Sequence, residues 1–181
     1  MKLTYNNLEL DSQEELYMCW WLDELLSFGY IDNYKKGEQI EIFKSTYLNF
    51  INYNKHLFRE LNYTPDFIIK WNKKAEGIFY INQHSTYNKD IIKRVPFIAV
   101  MDNSIIDVKG TFKSKFVSTS ITFPIIQKVL YNVLNIYVQK IQPLGDKGLF
   151  SITFTPNKYL LTTTGKKRKI KWNIKNINHY D

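Results

Sequence analysis

The stretch "YTPDFIIKW", residues 63–71, constrains the fold of this chain more than any other. It joins a proline and a carboxylate, Pro65 and Asp66, to a run of strand-forming apolar residues. Proline fixes its own φ and offers no ladder donor, so it is tolerated at the first position of a strand or on a sheet edge. The spacing therefore predicts a strand over 63–70 with Pro65 at its entrance. Asp66 then sits at the lip of a buried element, where a carboxylate needs a partner or a cation.

At 181 residues, with 44% hydrophobic and 16% aromatic content, the chain can bury one substantial core, and a single domain over 1–181 is expected. A lone cysteine, Cys19, excludes an internal disulfide and any cysteine-based zinc cluster. No apolar run reaches the roughly 18 residues needed to span a bilayer, and no signal-like segment opens the chain. A cytoplasmic protein without a membrane partner is expected. The net charge of +8 is concentrated late: residues 147–181 hold eight Lys and Arg against Asp181 alone. Such asymmetry points to an anionic partner, with nucleic acid ahead of a membrane surface. Within the basic C-terminal segment 156–181, Lys166, Lys167, Arg168, Lys169 and Lys171 are the candidate DNA contacts. Removing 166–181 is expected to weaken DNA binding and flatten its salt dependence while leaving any metal chemistry intact.

Along the chain, Asp11 or Ser12 offers an N-cap, Glu14 and Glu15 favour the first turn, and Gly29 supplies a stop, predicting a first helix. Glu15, Cys19, Leu22 and Leu26 share its apolar stripe. The alternating "EQIEIF" (38–43) reads as a strand. Residues 71–103 read as an insertion or extended hairpin, and "FIAVMDNSIIDVKG" as a hairpin turning at Asp102-Asn103 with its second arm over 104–109. A helix over 122–135 follows, with Thr122 as cap and Pro124 in its first turn. "IYVQKIQP" and "LFSITF" are then expected as strands, and "TPNKYLLTTTG" as a short helix or loop. The fold class is α/β, a central mixed sheet flanked by helices.

In "SIIDVKGTF", Asp107 and Lys109 lie two apart on the predicted strand, so both side chains share one face and Val108 the other. An isolated pair of this kind is most often a surface ion pair contributing about 0–1 kcal/mol. Here the preceding Ile105 and Ile106 suggest a central strand, and Asp66 begins another. Two converging carboxylates repel unless a cation lies between them. Mg²⁺ suits such hard oxygen ligands, with Mn²⁺ as a substitute, and takes one or two carboxylates plus substrate phosphates. Lys109 would orient an attacking water or offset charge on phosphorus. Asp102 could stand in for Asp107 under a shifted register. The histidines are isolated, and no phosphate loop or nucleophile elbow is visible.

Pro65-Asp66 followed by Asp107-Val108-Lys109 resembles the P-D…(D/E)-x-K signature of the restriction-endonuclease-like nuclease superfamily. The order of motifs over residues 9–142 is similar to that of a small family of uncharacterised, resolvase-like phage proteins of this superfamily, to which Holliday-junction resolvases also belong. The resemblance implies a restriction-endonuclease-like core and a metal-dependent DNA endonuclease. Its metal ligands would be Glu15, Asp66, Asp107 and the Val108 carbonyl, and its catalytic residues Glu15, Asp66, Asp107 and Lys109. Glu15 equally fits a capping box with Ser12, and Glu14 is the fallback. Gln127 and Tyr131 fit a Q-x-x-x-Y pattern on the following helix, as accessory residues or as packing. Symmetric cutting of a two-fold junction would imply a homodimer. The competing expectations are a nucleic-acid-binding module without catalysis, gripping strands by charge and stacking, and a phage structural or assembly protein.

Overall fold

In the computed structural model, which describes residues 2–110 and 118–180, the chain forms twelve strands and four helices. A short hairpin, β1 (Leu3–Tyr5) and β2 (Leu8–Leu10), leads into α1 (Gln13–Ser27). Next come β3 (Ile31–Lys36), β4 (Ile40–Phe43), β5 (Thr46–Phe50), β6 (Tyr53–Phe58), β7 (Leu61–Tyr63) and β8 (Phe67–Trp71). The remainder comprises β9 (Tyr80–Asn82), α2 (Lys89–Arg94), β10 (Phe97–Ala99), β11 (Asn103–Val108), α3 (Ser118–Leu134), β12 (Val138–Ile141) and α4 (Leu149–Ile152).

The central sheet has the order β12-β11-β8-β3. The β3–β8 and β8–β11 pairs are antiparallel and β11–β12 is parallel, so the sheet is mixed, as expected. Its first strand is β3, not the "EQIEIF" segment. The latter supplies β4, which pairs with β7 at the base of a long β-ribbon.

α1 covers one face of the sheet. Ser12 caps it by accepting from the Glu15 amide, and Gly29 closes it at φ +70°. Met18, Trp21, Leu22 and Leu25 pack with Phe67, Ile69, Ile106 and Val108 in the main core. The stripe turns at Leu25; Leu26, expected to be buried, is 44% exposed. On the opposite face, Phe123 and Leu130 of α3 cluster with Ile42 and Val138, backed by Ile105 and Tyr63. α3 begins four residues before its expected cap, which places Pro124 inside the helix.

Residues 71–103 are an excursion with its own parallel pair, β9–β10, and a helix between them, where an extended hairpin was one expectation. The turn into β11 falls one residue earlier than expected, at Met101 (φ 48°) and Asp102 (φ 59°), and its two arms meet only at a Val100–Asn103 bridge. "LFSITF", expected as a strand, contains α4. Phe150 and Phe154 are buried there, and Trp21 stacks on Phe154 at 5.4 Å. Spacings of three and four, not two, match that burial.

The basic C-terminal segment is built into the core. Ile177 is 1% exposed, Ile170 and Trp172 pack against the main cluster, and the Trp172 indole donates to Thr155 Oγ1 at 3.0 Å. Tyr30 donates its hydroxyl to the Tyr180 carbonyl at 2.8 Å. Removal of 166–181 would therefore strip core surface along with charge, so the expected loss of DNA binding on truncation would be mixed with a loss of stability. Ile177→Ala should cost about 2–4 kcal/mol, read as a lower urea midpoint with unchanged slope; a shift below about 0.5 kcal/mol would mean the segment is not core.

Candidate active site at the end of the central sheet

The ends of β3, β8 and β11 meet at one edge of the central sheet. Asp66 joins them. Its amide donates to the Ile106 carbonyl at 3.0 Å, its carbonyl accepts from Gly37 at 3.2 Å, and its Oδ2 accepts from the Val108 amide at 2.5 Å. Gly37 is required by proximity: a Cβ there would lie 2.1 Å from the Pro65 carbonyl oxygen. Pro65 is buried and lies two residues before β8, which starts at Phe67 rather than at the expected residue 63, Tyr63 belonging to β7, so the missing amide donor falls outside the ladder.

Asp107 and Lys109 share a face, as their spacing predicts. Lys109 Nζ lies 2.5 Å from Asp107 Oδ2 and 5.8 Å from the centre of the Phe123 ring. The Asp107 side chain is only 5% exposed, so this is no surface ion pair. Oδ2 is buried with Lys109 Nζ beside it, and the Tyr63 hydroxyl is buried close to the same carboxylate. Burial first, then the Asp107 and Asp66 charges, push the Tyr63 hydroxyl far above the ordinary phenol range. Burial is also the largest cause raising Asp66, to about 6. The charges of Asp107 and Glu15 add to it, while the Val108 amide and Lys109 oppose it.

Glu15 lies at the start of α1, 4% exposed. It forms both the capping box and an ion pair. Oε1 accepts from the Ser12 hydroxyl at 3.1 Å, and Oε2 from the Asp11 amide at 3.3 Å and from Lys36 Nζ at 2.6 Å. Its charge reaches Asp66 but its oxygens are occupied. Glu14 is half-buried and acts electrostatically on Tyr159, away from this edge. Asp102 sits at the opposite end of β11, accepting from Asn82 Nδ2 at 3.1 Å. Five residues of strand, about 17 Å, separate it from Asp107.

Gln127 and Tyr131 share a helix face but stand apart from the acids. Gln127 donates to the Val138 carbonyl at 2.5 Å, fastening α3 to β12, and Tyr131 packs edge-on against Tyr137. Both line a cleft of about 390 Å³ that includes none of Glu15, Asp66, Asp107 or Lys109. In the C-terminal segment, Lys166, Lys167, Lys169 and Lys171 are exposed. Arg168 instead stacks over Tyr159 at 4.8 Å and Tyr17 at 5.6 Å, and donates to the Leu161 carbonyl.

Lys36, Tyr63 and Phe123 complete the surroundings and escape sequence reasoning. A lysine before a glycine and a tyrosine before Thr-Pro carry no motif. Their only signal is position beside Gly37 and Pro65.

Whether this edge suits a divalent cation turns on its donors. Among the described residues no group of three or more His, Cys, Asp and Glu side chains is gathered as a metal cluster. Asp66 and Asp107 nevertheless bring two hard oxygen donors and uncompensated negative charge to one place, and a cation held by one or two carboxylates needs no more from the protein. Among the described residues no helix is long and apolar enough to cross a membrane. Compared with models of protein families, with curated proteins and with solved structures, the chain matches none.

The raised Asp66 fixes a pH dependence. The folded state holds the Asp66 proton to about pH 6, whereas the unfolded chain releases it near 3.9. Between these values the folded state binds more protons, so stability falls as pH rises. Without metal, Asp66→Asn should be more stable than wild type by about 1–2 kcal/mol near pH 7.5, a figure discounted for partial exposure. The difference should vanish below about pH 4. Urea titrations at several pH values check this, and a variant less stable at neutral pH would contradict it.

Proposed function

We propose that the chain is a Mg²⁺-dependent DNA endonuclease of the restriction-endonuclease-like superfamily, with branched DNA such as a four-way junction as its substrate. The observation that carries the reading is the convergence of Asp66, Asp107 and Lys109 at the ends of two adjacent strands, with surplus buried negative charge. The element order supports it: a helix, strands bearing Pro65-Asp66 and Asp107-Val108-Lys109, a helix, and a further strand parallel to the last.

Asp66, Asp107 and the Val108 carbonyl would hold the ion. When bound, Mg²⁺ polarises a phosphoryl oxygen and lowers the pKa of a water. Lys109, now resting on Asp107, orients the attacking water or offsets negative charge gained at phosphorus. Glu15 contributes mainly through its field, since the helix cap and Lys36 claim its oxygens. Phe123 lies beside the Lys109 ammonium and packs in the same cluster as Tyr63, giving the Asp107–Lys109 pair one apolar wall. The exposed Lys166, Lys167, Lys169 and Lys171 hold the phosphate backbone, and Arg168 shapes the segment that presents them.

Occupied Glu15 oxygens favour one competitor, a nucleic-acid-binding module without catalysis. Cleavage of supercoiled plasmid and of a four-way junction, with metal omitted and restored, separates the two. Wild type should cut only with Mg²⁺ or Mn²⁺, and Asp107→Ala and Lys109→Ala should lose activity by about 100-fold or more. Salt-dependent binding with no cleavage by either protein supports the module, and neither binding nor cleavage supports a structural role. Replacing the four exposed lysines by Ala should reduce the slope of log K against log salt by about 0.9 per lost contact on duplex DNA. An unchanged slope would remove the segment from the interface.

A further inference from the structure

The β-ribbon from Ile40 to Tyr63 carries the largest unexplained surface. Its base is anchored: Ile42 and Tyr63 pack against α3, and Glu60 and Ser45 bond to each other across the ribbon. Beyond that point every residue from 46 to 62 is exposed. Tyr47, Phe50, Ile51, Tyr53 and Phe58 are each more than half exposed. At roughly 100 Å² or more apiece they offer on the order of 600 Å² of apolar surface. Leu48 and Leu57 add to it, the whole being spread over both faces of the ribbon. A monomer rarely leaves so much uncovered. A two-stranded ribbon is also marginal in water without a third strand or a packed face.

The two edges of the ribbon differ. β6 carries Lys55, with Arg59 just beyond, charges that guard an edge against pairing. β5 has no such guard: from Thr46 to Asn54 there is no charged residue and no proline. Among the described residues the β5–β6 pair is a sheet of two strands, so the far edge of β5 is unpaired. Backbone donors and acceptors are thus presented along a neutral, aromatic strand. A nucleic acid would want cations there, and β5 has none. A second copy of the same edge answers its chemistry, because antiparallel pairing about a two-fold axis sets neutral against neutral and apolar against apolar.

We infer that two copies of this chain associate through β5, edge to edge and antiparallel, forming a four-stranded sheet with Leu48, Phe50 and Tyr53 at the centre of one face and Lys55 at its outer margin. Alternation and register place those three side chains together, since Leu48 opposes Lys55 and Phe50 opposes Tyr53. The inference is independent of the nuclease reading. It gives the ribbon one consequence for any such site: β7 runs through Thr64 and Pro65 into Asp66, so the two sheet-end sites would be tied to one two-fold axis.

Sedimentation velocity on the full chain, without DNA or metal, tests it. Wild type should be dimeric at micromolar concentration, and Leu48→Lys, which sets like charges together, should weaken association by about 100-fold or more. The helical circular dichroism signal should not change, because Leu48 touches no core, whereas the wild-type unfolding midpoint should rise with protein concentration and that of Leu48→Lys should not. As a second probe, Leu48→Cys should form an intermolecular disulfide on mild oxidation while Lys55→Cys, on the guarded edge, should not; Cys19 is buried and silent. A monomeric wild type, a dimer indifferent to Leu48→Lys, or cross-linking through Lys55→Cys alone would each overturn the inference. Loss of cleavage with the dimer intact would bear on the nuclease reading only.

Discussion

The attachment of Asp66 to its neighbours is the constraint on which the rest of the sheet end depends. One residue bonds to two other strands: its amide and carboxylate to β11, its carbonyl to the residue after β3. The chain travels 41 residues between Asp66 and Asp107, through a 3₁₀ turn, a parallel strand pair and a helix, and still returns in register. Ile68 opposes Ile105 and Phe67 opposes Ile106, so a slip of one residue would expose the apolar set that α1 covers. The hydrophobic pattern fixes the register, and the register delivers the carboxylates.

That delivery has an electrostatic cost that the protein meets unevenly. Lys36 and the helix cap satisfy Glu15 almost completely, and Lys109 sits on Asp107. Asp66 is largely buried, receives one amide and feels two neighbouring carboxylates, and burial above all is why its proton is held so tightly. An arrangement selected only for stability would have removed a charge or added a lysine, since an under-compensated buried carboxylate destabilises the fold. Retaining it at the edge where three strand ends converge is what the proposed cation site would require.

Much of this was legible in the residues. Ser12, Glu15 and Gly29 bounded α1 because caps are local chemistry, and Asp107 and Lys109 shared a face because the strand period is two. Pro65 marked the entrance to β8 for an equally local reason. What escaped depends on distant contacts. "IDNYKK" is a central-sheet strand though it is mostly polar, because only its Phe67-facing side is covered. "EQIEIF" alternates well, yet pairs at a ribbon base. "LFSITF" has strand composition, but the Trp21 indole and the core accept it as a helical turn, with Thr153 Oγ1 receiving the indole N–H. The fine structure of the basic segment depended on Tyr159 and Tyr17, which lie 9 and 151 residues from Arg168.

The two ends of the hydropathy scale thus appear in inverted places. The most basic segment of the chain is pinned down by Ile177 and Trp172, while the most apolar ribbon stands in solvent. Average composition would assign them the other way round. The resolution lies in what each backbone can pair with. The basic segment has aromatic faces to stack on and core cavities for its few apolar residues, so its lysines stay in water while its stem is held. The ribbon pairs only with itself, and its one unguarded edge is chemically identical to that of any other copy. Its apolar residues therefore serve the fold of a single chain poorly and an assembly of two chains well.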